Sequence, residues 1–227
     1  MKIMVITGAN SGIGLECVKQ FLNDGWHISA ISRKSNNLVN LTPSDKLDIY
    51  ECDVTNYTAL QGVVTDIITK HNVIDSLINN AGVSIYNELQ NLKHSEIQEM
   101  IDTNIKGFTN ALEIIIPIMQ KNKSGTVLNM SSLADRYPRP NSPVYAATKA
   151  YVRSMSDSLR VSNAKYNIRV MNLSPATVNT PLLQHVKKME SGYIEVEDFV
   201  SVIKFMFNQP QNITIRDLVI APTAYEG

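Results

Sequence analysis

The chain has 227 residues, enough for one full-sized domain, and no Pro/Gly/Ser-rich linker, charge run or shift of composition sets off a second, so one domain over 1–227 is expected. Its 21 basic and 21 acidic side chains cancel, which leaves no sequence-wide field to recruit nucleic acid or an anionic membrane and favours a small-molecule partner. The first apolar run, Ile3 to Ile6, is too short for a signal-peptide core or a membrane span, so a cytoplasmic location is expected.

Ile3 to Ile6 has the length of a buried strand, and Thr7-Gly8-Ala9-Asn10-Ser11-Gly12-Ile13-Gly14 separates it from the helical pattern of Leu15 to Leu22. Glycines at 8, 12 and 14 let the backbone turn tightly and approach a ligand, while the free N–H groups and positive dipole end of the helix favour a pyrophosphate. Ile28 to Ile31 is a second strand, ending in Ser32-Arg33-Lys34. In a dinucleotide fold an acidic residue here would hold the ribose 2′-hydroxyl and repel a phosphate, whereas Ser and Arg suit a 2′-phosphate. No Asp or Glu follows until Asp45, so NADP(H) is favoured over NAD(H), with a solvated basic turn as the competing reading.

Leu47 to Cys52 is a third strand running into Asp53-Val54-Thr55, where Asp53 either accepts from an adenine amino group or shapes a turn. Thr58 to Lys70 is a helix with Leu60, Val63, Val64, Ile67 and Ile68 on its buried face. Ser76 to Ile78 is a fourth strand, closed by Asn79-Asn80-Ala81-Gly82, whose small and amide side chains let a flat ligand lie against backbone or simply form a turn. Ser95 to Lys121 is helical in pattern but contains Asn104 and Gly107, poor helix formers that predict a kink. Thr126 to Met130, the fifth strand, places Ser131 and Ser132 at its carboxyl end, where open α/β sheets bind ligands.

Val144 to about Tyr166 is a long helix in which Tyr145 and Lys149, four residues apart, point the same way with a rise of about 6 Å between them. A free phenol titrates near ~10, and a fixed positive charge beside it lowers that value toward neutrality. Tyr145 could then pass a proton to or from an oxygen, unless the two merely share a helix face. Ile168 to Leu173 is a sixth strand, followed by the loop Pro175 to Pro181. A lid or short helix around 182–193 reads as a substrate loop, before a last helix, Val196 to Phe207, and a last strand, Leu218 to Ile220. This alternation predicts a doubly wound parallel sheet of about seven strands with helices on both faces.

Cys17 falls on the apolar stripe Ile13, Cys17, Phe21 and reads as core, and Cys17 and Cys52 show no CxxC spacing. The histidines at 27, 71, 94 and 185 lack the spacing of a metal motif, so no metal is expected.

With these residues in view, the chain resembles the short-chain dehydrogenase/reductase family over nearly its whole length. The motifs occur in the family's order: Thr7 to Gly14 as TGxxxGIG, Asn79 to Gly82 as NNAG, Asn104, the spacing of Ser132, Tyr145 and Lys149, and Pro175 to Pro181 as a PGxVxTP variant. The resemblance implies a Rossmann-type domain that moves a hydride between a nicotinamide cofactor and a small carbonyl or alcohol. Tyr145 would give the proton, Ser132 would bind the substrate oxygen, Lys149 would bind the nicotinamide ribose and lower the Tyr145 pKa, and Asn104 would hold a relay water. Gly8, Asn10, Ser11, Gly12, Ile13 and Gly14 would cradle the phosphates, Ser32 and Arg33 would meet the 2′-phosphate, and Asp53 and Val54 would flank adenine. Asn80, Ala81 and Gly82 would line the cofactor, as would Val178 and Thr180 near the nicotinamide carboxamide, with Pro175 at the start of their loop. Two departures stand out: Ala176 replaces the usual glycine, and Ser11 stands where many NADP-dependent members carry a basic residue.

Ser132 to Pro138 and the ending Ile215 to Thr223 look like the branch containing serine and 3-hydroxy-acid dehydrogenases, in which Arg136, Arg139 or His185 could meet a substrate carboxylate or be solvated. The rival reading is a regulator that senses nicotinamide cofactor without catalysis, which has no need of a poised phenol. The two long helices resemble surfaces through which family members pair, so a homodimer or homotetramer is expected.

Overall fold

A computed structural model of the chain describes residues 1–183 and 192–225. Seven strands, β1 (Ile3–Thr7), β2 (His27–Ser32), β3 (Leu47–Glu51), β4 (Ser76–Asn79), β5 (Gly125–Met130), β6 (Ile168–Pro175) and β7 (Asp217–Ile220), form one sheet in the order β3-β2-β1-β4-β5-β6-β7. Every neighbouring pair is parallel, and all successive strands but β2 and β3 are joined through at least one helix. β1, β2, β4, β5 and β6 are buried along their whole length, which is why their sequences read as continuous apolar runs.

The alternation within β1 divides the core. Ile3 and Val5 point to one face, where α2 (Tyr57–His71), α4 (Phe108–Asn122) and α5 (Pro143–Asn163) supply Leu60, Val64, Ile115 and Val152. Met4 and Ile6 point to the other, where α1 (Gly12–Asn23) and α6 (Val196–Phe207) supply Val18, Phe21, Phe199 and Ile203. Phe21 meets Trp26 and Phe207 edge to face at 5.5 and 5.4 Å between centroids, tying α1 to α6. Cys17 is fully buried in this layer, as its place on the apolar stripe predicts.

The predicted helix Ser95 to Lys121 is in fact α3 (His94–Ile101) and α4, joined by a π-helical turn over Asp102–Gly107. This π-helical turn falls where Asn104 and Gly107 predict a kink. Gly107 is required there, since a Cβ would lie 2.5 Å from a Val54 methyl. The loop around 182–193 lies largely outside the described residues. A 3-10 turn over Pro181–Leu183 precedes that part, and Ile194 pairs with Val178 beyond it. No helix among the described residues is long and apolar enough to cross a membrane.

Strand order reverses between β1 and β4, whose carboxyl ends, Thr7 and Asn79, therefore lie side by side. The segments leaving them diverge and open a crevice, the usual position of a ligand site in such sheets.

Candidate active site

Thr7 closes the floor of the crevice. Its hydroxyl donates to Asn79 Oδ1 at 3.2 Å and accepts from the Asn80 and Ala81 N–H groups at 3.0 and 3.1 Å, locking the glycine turn to the end of β4. Gly8 and Gly12 both have positive φ, +65° and +51°, which is the backbone geometry that favours glycine. Gly14 is required for a different reason: a Cβ there would stand 2.2 Å from the Gly8 carbonyl oxygen. Ser11 precedes α1 in an extended conformation with no side-chain cap, so the first-turn N–H groups have no side-chain acceptor there.

Above this turn is a cleft of about 580 Å³. Gly8, Asn10, Ser11, Gly12 and Ile13 line it from the turn, Ser32 and Arg33 from the end of β2, and Asp53 and Val54 from the end of β3. Asn80, Ala81, Gly82 and Thr180 complete it, together with Lys34, Cys52, Thr103, Pro181 and Leu182, which the sequence did not single out as contacts. Two side chains have additional structural work. Asn10 Oδ1 accepts from the N–H groups of Asn37 and Leu38 at 2.9 and 3.2 Å, latching the segment after β2 to the turn. Asp53 Oδ1 accepts from Thr55 N–H at 2.9 Å, the turn-forming role weighed against adenine contact.

A smaller depression of about 100 Å³ shares Ile13, Asn80, Gly82 and Thr180 with the cleft. Ser132, Tyr145, Lys149, Pro175 and Val178 line it. Pro143 at the start of α5 fixes the backbone for a helix and sets Tyr145 in its first turn, with Lys149 one turn on. Ser132 lines the same depression as the Tyr145 phenol, and its hydroxyl also accepts from Ala134 N–H at 3.2 Å. Its neighbour Ser131 is engaged elsewhere, its single hydroxyl proton shared between Asp135 Oδ2 at 2.8 Å and the Lys149 carbonyl at 3.2 Å. Of the two hydroxyls at the end of β5, it is Ser132 that faces the phenol.

Gly14 and Asn104 are the predicted site residues that line neither depression. Asn104 is buried at the π-turn, where its Oδ1 accepts from Val83 N–H at 2.8 Å and its amide donates to Val83 O and Thr148 Oγ1 at 2.8 and 3.0 Å. Both amide N–H groups are thereby occupied, and the side chain clamps the segment after β4 to α5.

The expected effect of Lys149 on Tyr145 needs correction in this structure. The ammonium lies 5.8 Å from the ring centroid and donates to the Met130 carbonyl at 2.8 Å. Burial and the neighbouring Tyr86 push the Tyr145 phenol up rather than down, against the opposing hydrogen bond from Ser132. Burial also pushes Lys149 down to about 8. The two groups share a helix face as predicted, but burial sets the direction in which each is shifted.

Sequence reading missed Tyr86 and Asp135. Tyr86 packs on Tyr145 with centroids 5.7 Å apart and forms a wall of the small depression. The Asp135 carboxylate, fully buried, accepts from Arg136 Nε at 2.7 Å and from Ser174 Oγ at 2.6 Å as well as from Ser131. An acidic residue three positions after Ser132 was the available signal. Arg136 also reaches Asp217 at 2.9 Å, so of the arginines considered for a substrate carboxylate it is committed to internal ion pairs. Arg139 donates to the Tyr225 hydroxyl at 2.8 Å. His185 lies outside the described residues.

The histidines are not as scattered in space as in sequence. His27 and His71 both approach Asp48, at 2.9 and 2.7 Å.

This fold agrees with what is found among known proteins. Residues 2–191 match the family model for short chain dehydrogenases, and the chain belongs to that family. An oxidoreductase of Staphylococcus saprophyticus, itself uncharacterised, is 31% identical over 98% of this chain and 96% of its own length. The closed form of a serine dehydrogenase complexed with NADP+ superposes with a TM-score of 0.90 at 26% identity, covering 99% of this chain and 97% of that one. A 3-ketoacyl-(acyl-carrier-protein) reductase from Brucella melitensis complexed with NADH gives 0.91 at 25%, covering 98% of each chain. The chain is an oxidoreductase of the Rossmann-type, short-chain class.

Proposed function

We propose that the protein binds NADP(H) in preference to NAD(H) along the larger cleft and interconverts a small carbonyl compound and its alcohol in the smaller depression. The observation that carries this reading is the meeting of Ser132, Tyr145 and Lys149 in one depression continuous with a glycine-turned cleft. The cleft fits a dinucleotide: Gly8 and Gly12 hold backbone close to its floor, and uncapped N–H groups at the start of α1 suit a pyrophosphate. Support for the nicotinamide class also comes from relatives of this fold that carry NADP+ and NADH.

A bound nicotinamide supplies or accepts the hydride. In reduction the carbonyl oxygen gains a proton as its carbon gains hydride, and Tyr145, held protonated by burial, gives that proton while Ser132 donates to the same oxygen. Oxidation reverses the path. Lys149, which lies beneath Gly82 at the junction of the two depressions, binds the nicotinamide ribose. Asn104 fixes the wall between Val83 and α5. At the end of β2, Ser32, Arg33 and Lys34 suit a 2′-phosphate, and Asp53 is the single carboxylate among the described lining residues. The small volume beside Tyr145 suits a substrate of few heavy atoms, and small 3-oxo or hydroxy acids are the class to try first. The long α4 and α5 support assembly as a homodimer or homotetramer.

The test is consumption of NADPH and NADH over a panel of aldehydes, ketones and small 3-oxo acids by the parent and Tyr145→Phe. NADPH-dependent turnover that falls by at least about 100-fold in the variant, with cofactor affinity retained, is expected. Full activity in the variant would remove Tyr145 as proton donor, and tight cofactor binding without turnover on any carbonyl would favour a sensor.

A further inference from the structure

At the opposite end of β2 from the cofactor cleft, three side chains from different elements converge. His27 opens β2, Asp48 lies on the edge strand β3, and His71 ends α2. The Nε2 atoms of both imidazoles face the same carboxylate oxygen, Asp48 Oδ2, at 2.9 Å from His27 and 2.7 Å from His71. Their ring centroids are 4.2 Å apart, and the donor atoms of the three residues lie within 4.8 Å of one another. His27 is almost wholly buried, whereas Asp48 keeps 23% of its side chain exposed, which leaves an approach from solvent.

We propose that His27, Asp48 and His71 bind a divalent transition-metal ion of the zinc class. Two imidazoles and one carboxylate are the donors such ions prefer, while calcium and magnesium take oxygen ligands. With metal–ligand bonds of about 2.0–2.1 Å, donor atoms around tetrahedral zinc stand roughly 3.3 Å apart. The observed nitrogen–oxygen separations of 2.7 and 2.9 Å need a few tenths of an ångström of expansion, and the two imidazole nitrogens, within 4.8 Å of each other, must settle at about that same spacing to share the ion. Three protein ligands leave one position for water on the exposed side of Asp48. Both imidazoles then bind through Nε2 with the ring proton on Nδ1.

Two features limit the affinity. His27 Nδ1 is buried with no hydrogen-bond partner, so the support that usually orients a ligating ring is missing there. The nearest cation, Lys70, stands 4.0 Å from the other Asp48 oxygen but pairs more closely with Asp66 at 3.0 Å. A dissociation constant on the order of micromolar, not nanomolar, follows. The ion would clamp the end of α2 to the β3 edge of the sheet. Five residues along a strand separate His27 from Ser32, roughly 16 Å, so the clamp acts on stability and not on the reacting groups.

The experiment titrates the full chain, stripped with chelator, with zinc chloride by calorimetry, and with cobalt(II) followed by visible absorption. His71→Gln and Asp48→Asn are compared with His94→Gln, a change at an exposed histidine on another helix. One zinc per chain is expected, with a melting temperature raised by roughly 5–10 °C at a hundredfold excess over the dissociation constant. Affinity should fall at least tenfold in His71→Gln, remain unchanged in His94→Gln, and leave metal-free turnover alike in all. No saturable binding below about 1 mM, or binding equal in the parent and His71→Gln, would overturn the site. His71 sits at a helix end, so that variant decides the matter should Asp48→Asn fail to fold.

Discussion

The Lys149 ammonium donates to the Met130 carbonyl at 2.8 Å and stands 5.8 Å from the Tyr145 ring centroid, so its first partner is the end of β5 and not the phenol. Burial pushes it down from 10.5 to about 8, against the opposing charge of Asp135. The sign of the consequence follows from proton counting. Between pH 8 and 10.5 the unfolded chain keeps a proton at this lysine that the folded chain has lost, so folding stability gains from rising pH in that window. Cys17 and Tyr145, both pushed up by burial, act in the opposite sense above about pH 9, so a difference between variants isolates the lysine. The stability of the parent minus that of Lys149→Met, measured without cofactor by urea unfolding, should rise by about 1–2 kcal/mol from pH 7 to 9.5. A difference independent of pH would mean that the ammonium is well solvated.

The Asp135 carboxylate is a second test of buried charge. It accepts from Arg136, Ser131 and Ser174 at 2.7, 2.8 and 2.6 Å with no exposed side-chain surface. Asp135→Asn removes the charge facing Arg136 and offers N–H groups to three donors, and should cost about 3–5 kcal/mol in urea unfolding. Asp217, the other partner of Arg136, is 30% exposed, and Asp217→Asn should cost about 1 kcal/mol or less. Equal costs would mean that Asp135 is hydrated.

Those two predictions also show which parts of the molecule were legible from sequence. The glycine turn, the Tyr145–Lys149 spacing and the kink at Asn104 are local: each is set by residues within a turn or two, and the residue types carry the geometry. The strands were legible because burial on both faces leaves continuous apolar runs, which also places the carboxyl ends where ligands gather. Asp135 with Arg136 and Asp217, Tyr86 on Tyr145, and His27 with His71 were not legible, because their partners come from distant segments whose meeting depends on the sheet order. Arg136 and Asp217 are 81 positions apart, and only the pairing of β6 with β7 brings them within 2.9 Å. The Tyr145 pKa direction failed for a related reason. Helix periodicity gives a side chain's direction but not its desolvation or its competing acceptors.

Gly14 separates steric need from backbone freedom. A Cβ there would meet the Gly8 carbonyl oxygen at 2.2 Å and the Asn80 amide at 2.8 Å, so Gly14→Ala must move either the glycine turn or the end of β4. A loss of about 2–3 kcal/mol is expected, with cofactor affinity falling along with it. Gly25 has a φ of +85° but nothing within 4 Å of its Cβ position. Gly25→Ala should cost about 1 kcal/mol from backbone strain alone and leave cofactor affinity unchanged. Differential scanning calorimetry with a fluorescence titration of NADPH checks both, and unaltered cofactor affinity in Gly14→Ala would detach the turn from the binding site.

Cofactor choice rests most directly on Arg33. It lines the cleft at the end of β2 with 59% of its side chain exposed, and its ion pair with Glu99 is long at 3.9 Å and open to solvent. Such a pair contributes little to stability, so the guanidinium is free to turn toward a 2′-phosphate. Arg33→Asp replaces an attractive charge with a repulsive one and supplies a carboxylate to accept from a ribose 2′-hydroxyl. The ratio of kcat/KM for NADPH to that for NADH should fall by about 10- to 100-fold, or roughly 1.4–2.7 kcal/mol, with thermal stability nearly unchanged because the side chain is exposed. If the ratio stays where it was while Lys34→Asp shifts it, the neighbouring lysine in the same cleft reads the 2′-phosphate; if neither changes it, the preference for NADP is wrong and the basic turn is a solvated surface.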